Sequence, residues 1–131
     1  MKLAPRKGHR PSSRIGLELV KLTLLALHMA LLAWMSVGTV YPGPIESLFH
    51  RVGSLALHVL GYFILAILLS WVFVARGRRA VLLSFPGAFL YGLVLEVVQI
   101  CVPERGFSGV DILLNLMGSC VGALSSLVFL A

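Results

Sequence analysis

His58, Glu96 and Asp111 are three side chains able to move protons in a chain that is otherwise mostly apolar. A histidine titrates near neutrality, and burial brings carboxylates toward the same range, so the three together suit general acid–base work. Gln99, Arg105 and Asn115 lie close to them in sequence, and Tyr62 and Ser108 add two hydroxyls. The guanidinium of Arg105 would clamp a phosphate or carboxylate. Asp111 would orient a partner, and Asn115 would donate to a developing oxyanion. Ser108 has no nucleophile-elbow context and reads as a helix N-terminal residue. A metal held by His58, Glu96 and Asp111 is conceivable, but no His-x-x-x-His and no cysteine pair supports it. The expectation is therefore no metal and no cofactor. Each residue also has a purely structural reading. Asn115 can glue two helices, Glu96 and Arg105 can form an ion pair, and His58 with Tyr62 can bond across an interface.

Composition says what must hold these groups. Of 131 residues, 59% are hydrophobic and 12% charged, with a mean hydropathy of +0.98. Soluble domains carry about twice that share of charge, so this surface must face lipid. The net charge of +6 does not indicate nucleic acid, because the basic residues gather in the N-terminal tail and one short turn, as membrane topology signals do. Cys101 and Cys120 lie within apolar runs and read as small packing residues rather than a disulfide.

The chain divides into a basic tail and four apolar runs. Residues 1–14 hold Lys2, Arg6, Lys7, Arg10 and Arg14 among prolines and serines, and read as a disordered cytoplasmic tail. A cleaved signal peptide is the rival reading, but Lys21 would fall within its apolar core. The spans fall at about 19–40, 52–74, 80–102 and 110–131, each long enough to cross a bilayer. Glu18 and Lys21 can pair at the start of the first, and His28 on the same face reads as bonded to a neighbouring helix. Tyr41-Pro42-Gly43-Pro44 ends that helix. Arg76-Gly77-Arg78-Arg79 is a basic turn between the second and third spans, and Pro86-Gly87 should kink the third. Asp111, Asn115, Gly118 and Gly122 share one stripe of the fourth, where the two glycines make a small-xxx-small packing pattern. The fold expected is an all-α bundle of four transmembrane helices, with both termini cytoplasmic.

This arrangement brings the polar residues to one depth. His58 and Glu96 come about 9 Å below the outer ends of their spans, and Asn115 about 6 Å. Charged groups at such depths cost roughly 2.5–3.5 kcal/mol at the helix centre and less near the interface, so they should face one another or a wet cavity. The expectation is a polar pocket open to the outer leaflet, with Arg105 over it.

Three sequence elements resemble the VanZ-like family, small bacterial membrane proteins named after a teicoplanin-resistance accessory protein. They are His58 to Tyr62-Phe63, Glu96 with Gln99, and the run Pro103, Arg105, Ser108, Asp111, Asn115, Gly118. Order and spacing agree over residues 54–122, and the first span agrees in character only. Members commonly carry an Asp-Lys pair just before the histidine, where this chain has Ser54 and Leu55; it must do without that pair or use Glu46 or Arg51 nearby. The resemblance implies a fold, a location in the bacterial inner membrane and a link to envelope or glycopeptide phenotypes. Three functions compete: an enzyme acting on an amphiphile at the outer leaflet, a module binding a lipid-linked or anionic ligand without chemistry, and a small transporter. Only His28 could serve the inner half of a transport path, and no inverted repeat supports one.

Overall fold

A computed structural model describes residues 11–38, 43, 44, 47, 53–103 and 105–130. The expected helix break at Tyr41-Pro42, and Glu46, His50 and Arg51 before the second span, lie outside the described residues, as does the tail up to Arg10. The chain is all helical, with no strand among the described residues. Its helices are α1 (Pro11–Val37), α2 (Ser54–Val72), α3 (Arg79–Gln99), α4 (Gly109–Ser125) and the short α5 (Leu127–Leu130). Three stretches are long and apolar enough to cross a membrane: Arg14–Val37, Leu55–Val72 and Arg79–Gln99, with mean hydropathies of 1.8, 2.2 and 2.0.

The boundaries differ from those expected, each for a local reason. Helix α1 starts at Pro11, so the last four residues of the expected tail are helical. Proline is tolerated in a first turn because its missing N–H would lack an intrahelical partner there. Helix α2 begins after Gly53, whose φ of 81° is open to glycine. It ends in a 3₁₀ turn, Val74–Arg76, closed by Gly77 at φ 55°. Helix α3 runs through Pro86 without a break. Beyond Gln99 its bonds tighten to the i→i−3 type, from Ile100 to Val97, Cys101 to Val98 and Val102 to Gln99, which ends the helix three residues early. The fourth helix is short: α4 has 17 residues, about 25 Å at helical rise, against a hydrocarbon core of about 30 Å. At Ser126 the chain turns into α5, and its hydroxyl donates to the Gly122 carbonyl at 2.9 Å.

Side-chain contacts fix the helix directions. Lys21 of α1 lies over the Trp71 ring at the end of α2, 5.9 Å from its centroid. His28 Nε2 meets the Gly61 carbonyl midway, at 2.9 Å, so the two helices are antiparallel. Tyr91 donates to the Met29 carbonyl at 2.7 Å, and Gln99 reaches Ser36, so α3 runs parallel to α1. Ser70 donates to Ser84 at 2.7 Å across the α2–α3 pair. The Glu18–Lys21 pair forms at 2.7 Å.

Burial is inverted relative to a soluble protein. The interior holds Ala66, Ala80, Ala88, Ser84, Ser119, Glu96, Gln99 and Asn115, whereas Ile15, Leu27, Leu82 and Val128 stand 63–78% exposed. Such an exterior suits an apolar solvent, and small interior residues let helix backbones approach. Cys101 and Cys120, expected to pack inside, are exposed free thiols. The tightest approach is between α4 and α2. A Cβ on Gly118 would run into the Val59 carbonyl oxygen, and one on Gly122 would lie 2.9 Å from Phe63 Cα. Backbone cannot step aside as a side chain can, so Gly118→Ala should lower stability by about 1–3 kcal/mol, the usual overpacking range. Unfolding of the detergent-solubilised protein followed by circular dichroism measures this. Gly109→Ala, with nothing within 4 Å of the added carbon, is the control and should shift stability far less.

Candidate functional site

The start of α2, the end of α3 and the start of α4 meet where the sequence concentrates its polar residues. His58 lies one turn into α2, Glu96 three residues before the end of α3, and Asp111 in the first turn of α4. One donor atom from each lies within 4.8 Å of the other two. His58 Nδ1 is 3.1 Å from Asn115 Oδ1, and His58 Nε2 is 3.7 Å from Asp111 Oδ2. The first is a hydrogen bond; the second is too long for one.

Ser108 ties the loop to this cluster. Its hydroxyl caps α4 by accepting from the Asp111 amide at 3.2 Å, which satisfies one of the orphan donors of the helix start. Its own amide donates to Glu96 Oε2, also at 3.2 Å. One residue thus begins α4 and holds a carboxylate on α3. Asp111 sits in the first turn, where the helix dipole favours negative charge.

Burial grades across the site. Glu96 and Asn115 are sealed, at 1% and 0% exposure. The side chains of His58 and Asp111 are 24% and 25% exposed, so the cluster opens along those two. Among the described residues, no Lys or Arg nitrogen lies within ion-pair distance of Glu96 or Asp111. One amide hydrogen-bonding atom, Asn115 Nδ2, has no partner among the described residues.

The other candidates are placed differently. Tyr62 lies one turn below His58, buried, with its ring against Gly92. Gln99 and Arg105 reach toward α1. Gln99 Nε2 donates to the Ser36 hydroxyl at 2.6 Å and to the Ser36 carbonyl at 3.0 Å. Arg105 Nη2 donates to the Gly38 carbonyl at 2.7 Å. These carbonyls close α1, where a helix leaves its last acceptors unpaired. Ser54 and Leu55 precede His58, Leu55 being exposed. Within the described residues the partner of the ring is Asn115, from another helix.

Two residues that position the site had no place among the candidates. Gly92 leaves room for both Tyr62 and Asn115: a Cβ there would lie 2.7 Å from Tyr62 Cε1 and 3.0 Å from Asn115 Nδ2. Its signal was its spacing, one helical turn before Glu96 on the same face. Ser36 was readable only as a lone hydroxyl near the end of an apolar run.

A family model described as VanZ/LLP1 matches residues 6–130. The chain belongs to this family. The match spans every described helix of the VanZ/LLP1 chain, including α1, where the quoted motifs were silent. No curated protein and no solved structure gives a match. The residues His58, Glu96, Ser108, Asp111 and Asn115 of this VanZ/LLP1 member converge, whereas Gln99 and Arg105 bind the end of α1.

The Gln99–Ser36 pair gives a quantitative check. Interhelical hydrogen bonds in membranes are worth about 0.6 kcal/mol on average and about 1.7 at most. A double-mutant cycle with Gln99→Leu and Ser36→Ala should return a coupling energy in that range, read from unfolding in detergent. Zero coupling would leave Gln99 held to α1 by the Ser36 carbonyl alone.

Proposed function

We propose that this protein is a multi-pass component of the bacterial cytoplasmic membrane, with both termini inside, whose His58–Glu96–Asp111–Asn115 cluster binds or acts on a lipid-linked or anionic envelope component at the outer leaflet. The observation that carries the reading is the meeting of an imidazole and two carboxylates from three helices within 4.8 Å. Residues that only glue helices pair donors with acceptors. Here two carboxyl groups face an imidazole, with no Lys or Arg beside them among the described residues. Such a set, partly open on one side, suits a ligand or a proton transfer. In a reaction, His58 Nε2 would exchange a proton with the ligand while Asn115 holds the ring from behind. A contribution to glycopeptide resistance is the cellular phenotype in which to look for this role.

The orientation rests on charge. Arg76, Arg78 and Arg79 sit at the turn between α2 and α3, at the bundle end where α1 begins. By the positive-inside rule that end is cytoplasmic, which sets the cluster near the outer surface. A non-catalytic scaffold is the second reading, and the bonds from Gln99 and Arg105 to α1 favour it for those two residues. Transport has less support, since His28 is engaged with the Gly61 carbonyl.

Two experiments test the reading. With the protein in nanodiscs and a polyprenyl phosphate as probe, His58→Ala and Glu96→Gln should each weaken binding at least about tenfold, a loss of about 1.4 kcal/mol, with helicity unchanged. Wild-type affinity in both folded variants refutes a ligand role for the cluster. Gly106→Cys, in a background of Cys101→Ser and Cys120→Ala, should react with a membrane-impermeant thiol reagent from outside; the position has nothing within 4 Å of an added carbon. Labelling only after permeabilisation would invert the topology.

A further inference from the structure

We propose that His58, Glu96 and Asp111 form a binding site for one divalent transition-metal cation of the zinc or manganese type, with Asn115 as the residue that positions the imidazole. The proposal deepens the reading above, on which it rests only for what the ion does once bound.

The donor set is the first argument. One imidazole and two carboxylates, each from a different helix, bring their donor atoms within 4.8 Å of one another. Zinc holds nitrogen and oxygen ligands at about 2.0–2.2 Å, which sets neighbouring tetrahedral donors about 3.4 Å apart. The His58 Nε2 to Asp111 Oδ2 separation of 3.7 Å is close to that spacing. A mixed nitrogen and carboxylate set suits zinc or manganese better than magnesium, which prefers oxygen alone. Three protein ligands also leave a position open, as in catalytic zinc sites.

The state of the histidine is the second argument. Asn115 Oδ1 can only accept, so at 3.1 Å it fixes the ring proton on Nδ1. Nε2 then carries a lone pair and points to the side where Asp111 lies. Metal-ligating histidines characteristically donate their other N–H to such an acceptor. Glu96 is braced in the same manner by the Ser108 amide, which leaves its other oxygen for a ligand bond.

Charge balance is the third argument. Where both carboxyls ionise they repel each other in a low-dielectric layer, and no Lys or Arg nitrogen among the described residues pairs with either. A dication between them removes that repulsion and offers the headgroup a positive partner. The quarter exposure of His58 and Asp111 gives it a side from which to approach.

The test uses the full chain in detergent, freed of any affinity tag, stripped with EDTA and returned to metal-free buffer. Zinc and manganese are added separately, with magnesium as a control, and uptake is measured by elemental analysis and calorimetry. The wild type should take up about one zinc ion per chain and melt at a higher temperature with zinc than without. His58→Ala, Glu96→Gln and Asp111→Asn should each abolish stoichiometric uptake while the helical circular dichroism signal persists. Asn115→Leu should keep the stoichiometry but weaken affinity about 10–100-fold, the range for lost outer partners of a ligand. Folded wild-type protein that takes up neither zinc nor manganese overturns the proposal, as does undiminished uptake in Glu96→Gln and Asp111→Asn. Polyprenyl phosphate binding is then repeated with EDTA. Binding that is lost with EDTA and restored by zinc supports ion and ligand together. Binding indifferent to EDTA, without metal uptake, overturns the ion and leaves the ligand site standing. Metal uptake without any polyprenyl phosphate binding supports the ion and counts against that ligand class.

Discussion

The close contact between α2 and α4 is the constraint on which the remaining structure depends. Gly118 and Gly122 bring the α4 backbone against the carbonyls of Val59 and Phe63. A helix pair that meets backbone to backbone has one register, because neither side can yield. That register sets His58, next to Val59, opposite Asn115, one turn above Gly118. The 3.1 Å bond between them follows from the glycines as much as from the two side chains. Asp111 arrives beside His58 because it lies one further turn up the same stripe. Helix α3 completes the set, and Gly92 lets it approach where the Tyr62 ring would otherwise stand in the way.

Much of this was legible in the residues. The apolar runs gave the helices, because a run too greasy for water must be buried or face lipid. The i, i+4, i+7, i+11 spacing on α4 gave its working face. Helix counting put His58, Glu96, Asp111 and Asn115 near one depth, and the structure brings them together. What could not be read was direction around the bundle. Gln99 shares a turn with Glu96, yet one meets Ser36 on α1 and the other the Ser108 amide on the loop. Three residues along a helix turn a side chain by about 300°, which is enough to change the neighbour. Sequence spacing supplies that angle but not the identity of the helix standing there. Arg105 shows the same limit: a loop cation near acidic groups suggests an ion pair, but a helix end with open carbonyls was also within reach. The cysteines were misplaced for a related reason, since a small residue in an apolar run suits the lipid face and the interior equally.

The polar interior also explains why so few bonds suffice. In lipid there is no general apolar force drawing helices together, so close packing and directed hydrogen bonds must do so. Two kinds of bond hold the site and the helices around it. Ser70 to Ser84 and His58 to Asn115 join α2 to its neighbours through side chains on both sides. Glu96 is held by a backbone amide that a capping serine presents, so the rigidity of the α4 start passes directly to a carboxylate on another helix. A site assembled this way sits on helix termini, where orphan backbone groups are available to brace side chains.

Helix α1 is held on different terms. Tyr91, Gln99 and Arg105 all grip it by main-chain carbonyls, at Met29, Ser36 and Gly38. Every residue type carries that acceptor. A helix grasped by its peptide groups can exchange most of its side chains without losing its place, provided it stays apolar and keeps its length. Where the grip is a peptide carbonyl, the residue of the first span is free to vary; at His28 and Ser36, whose side chains meet Gly61 and Gln99, it is not.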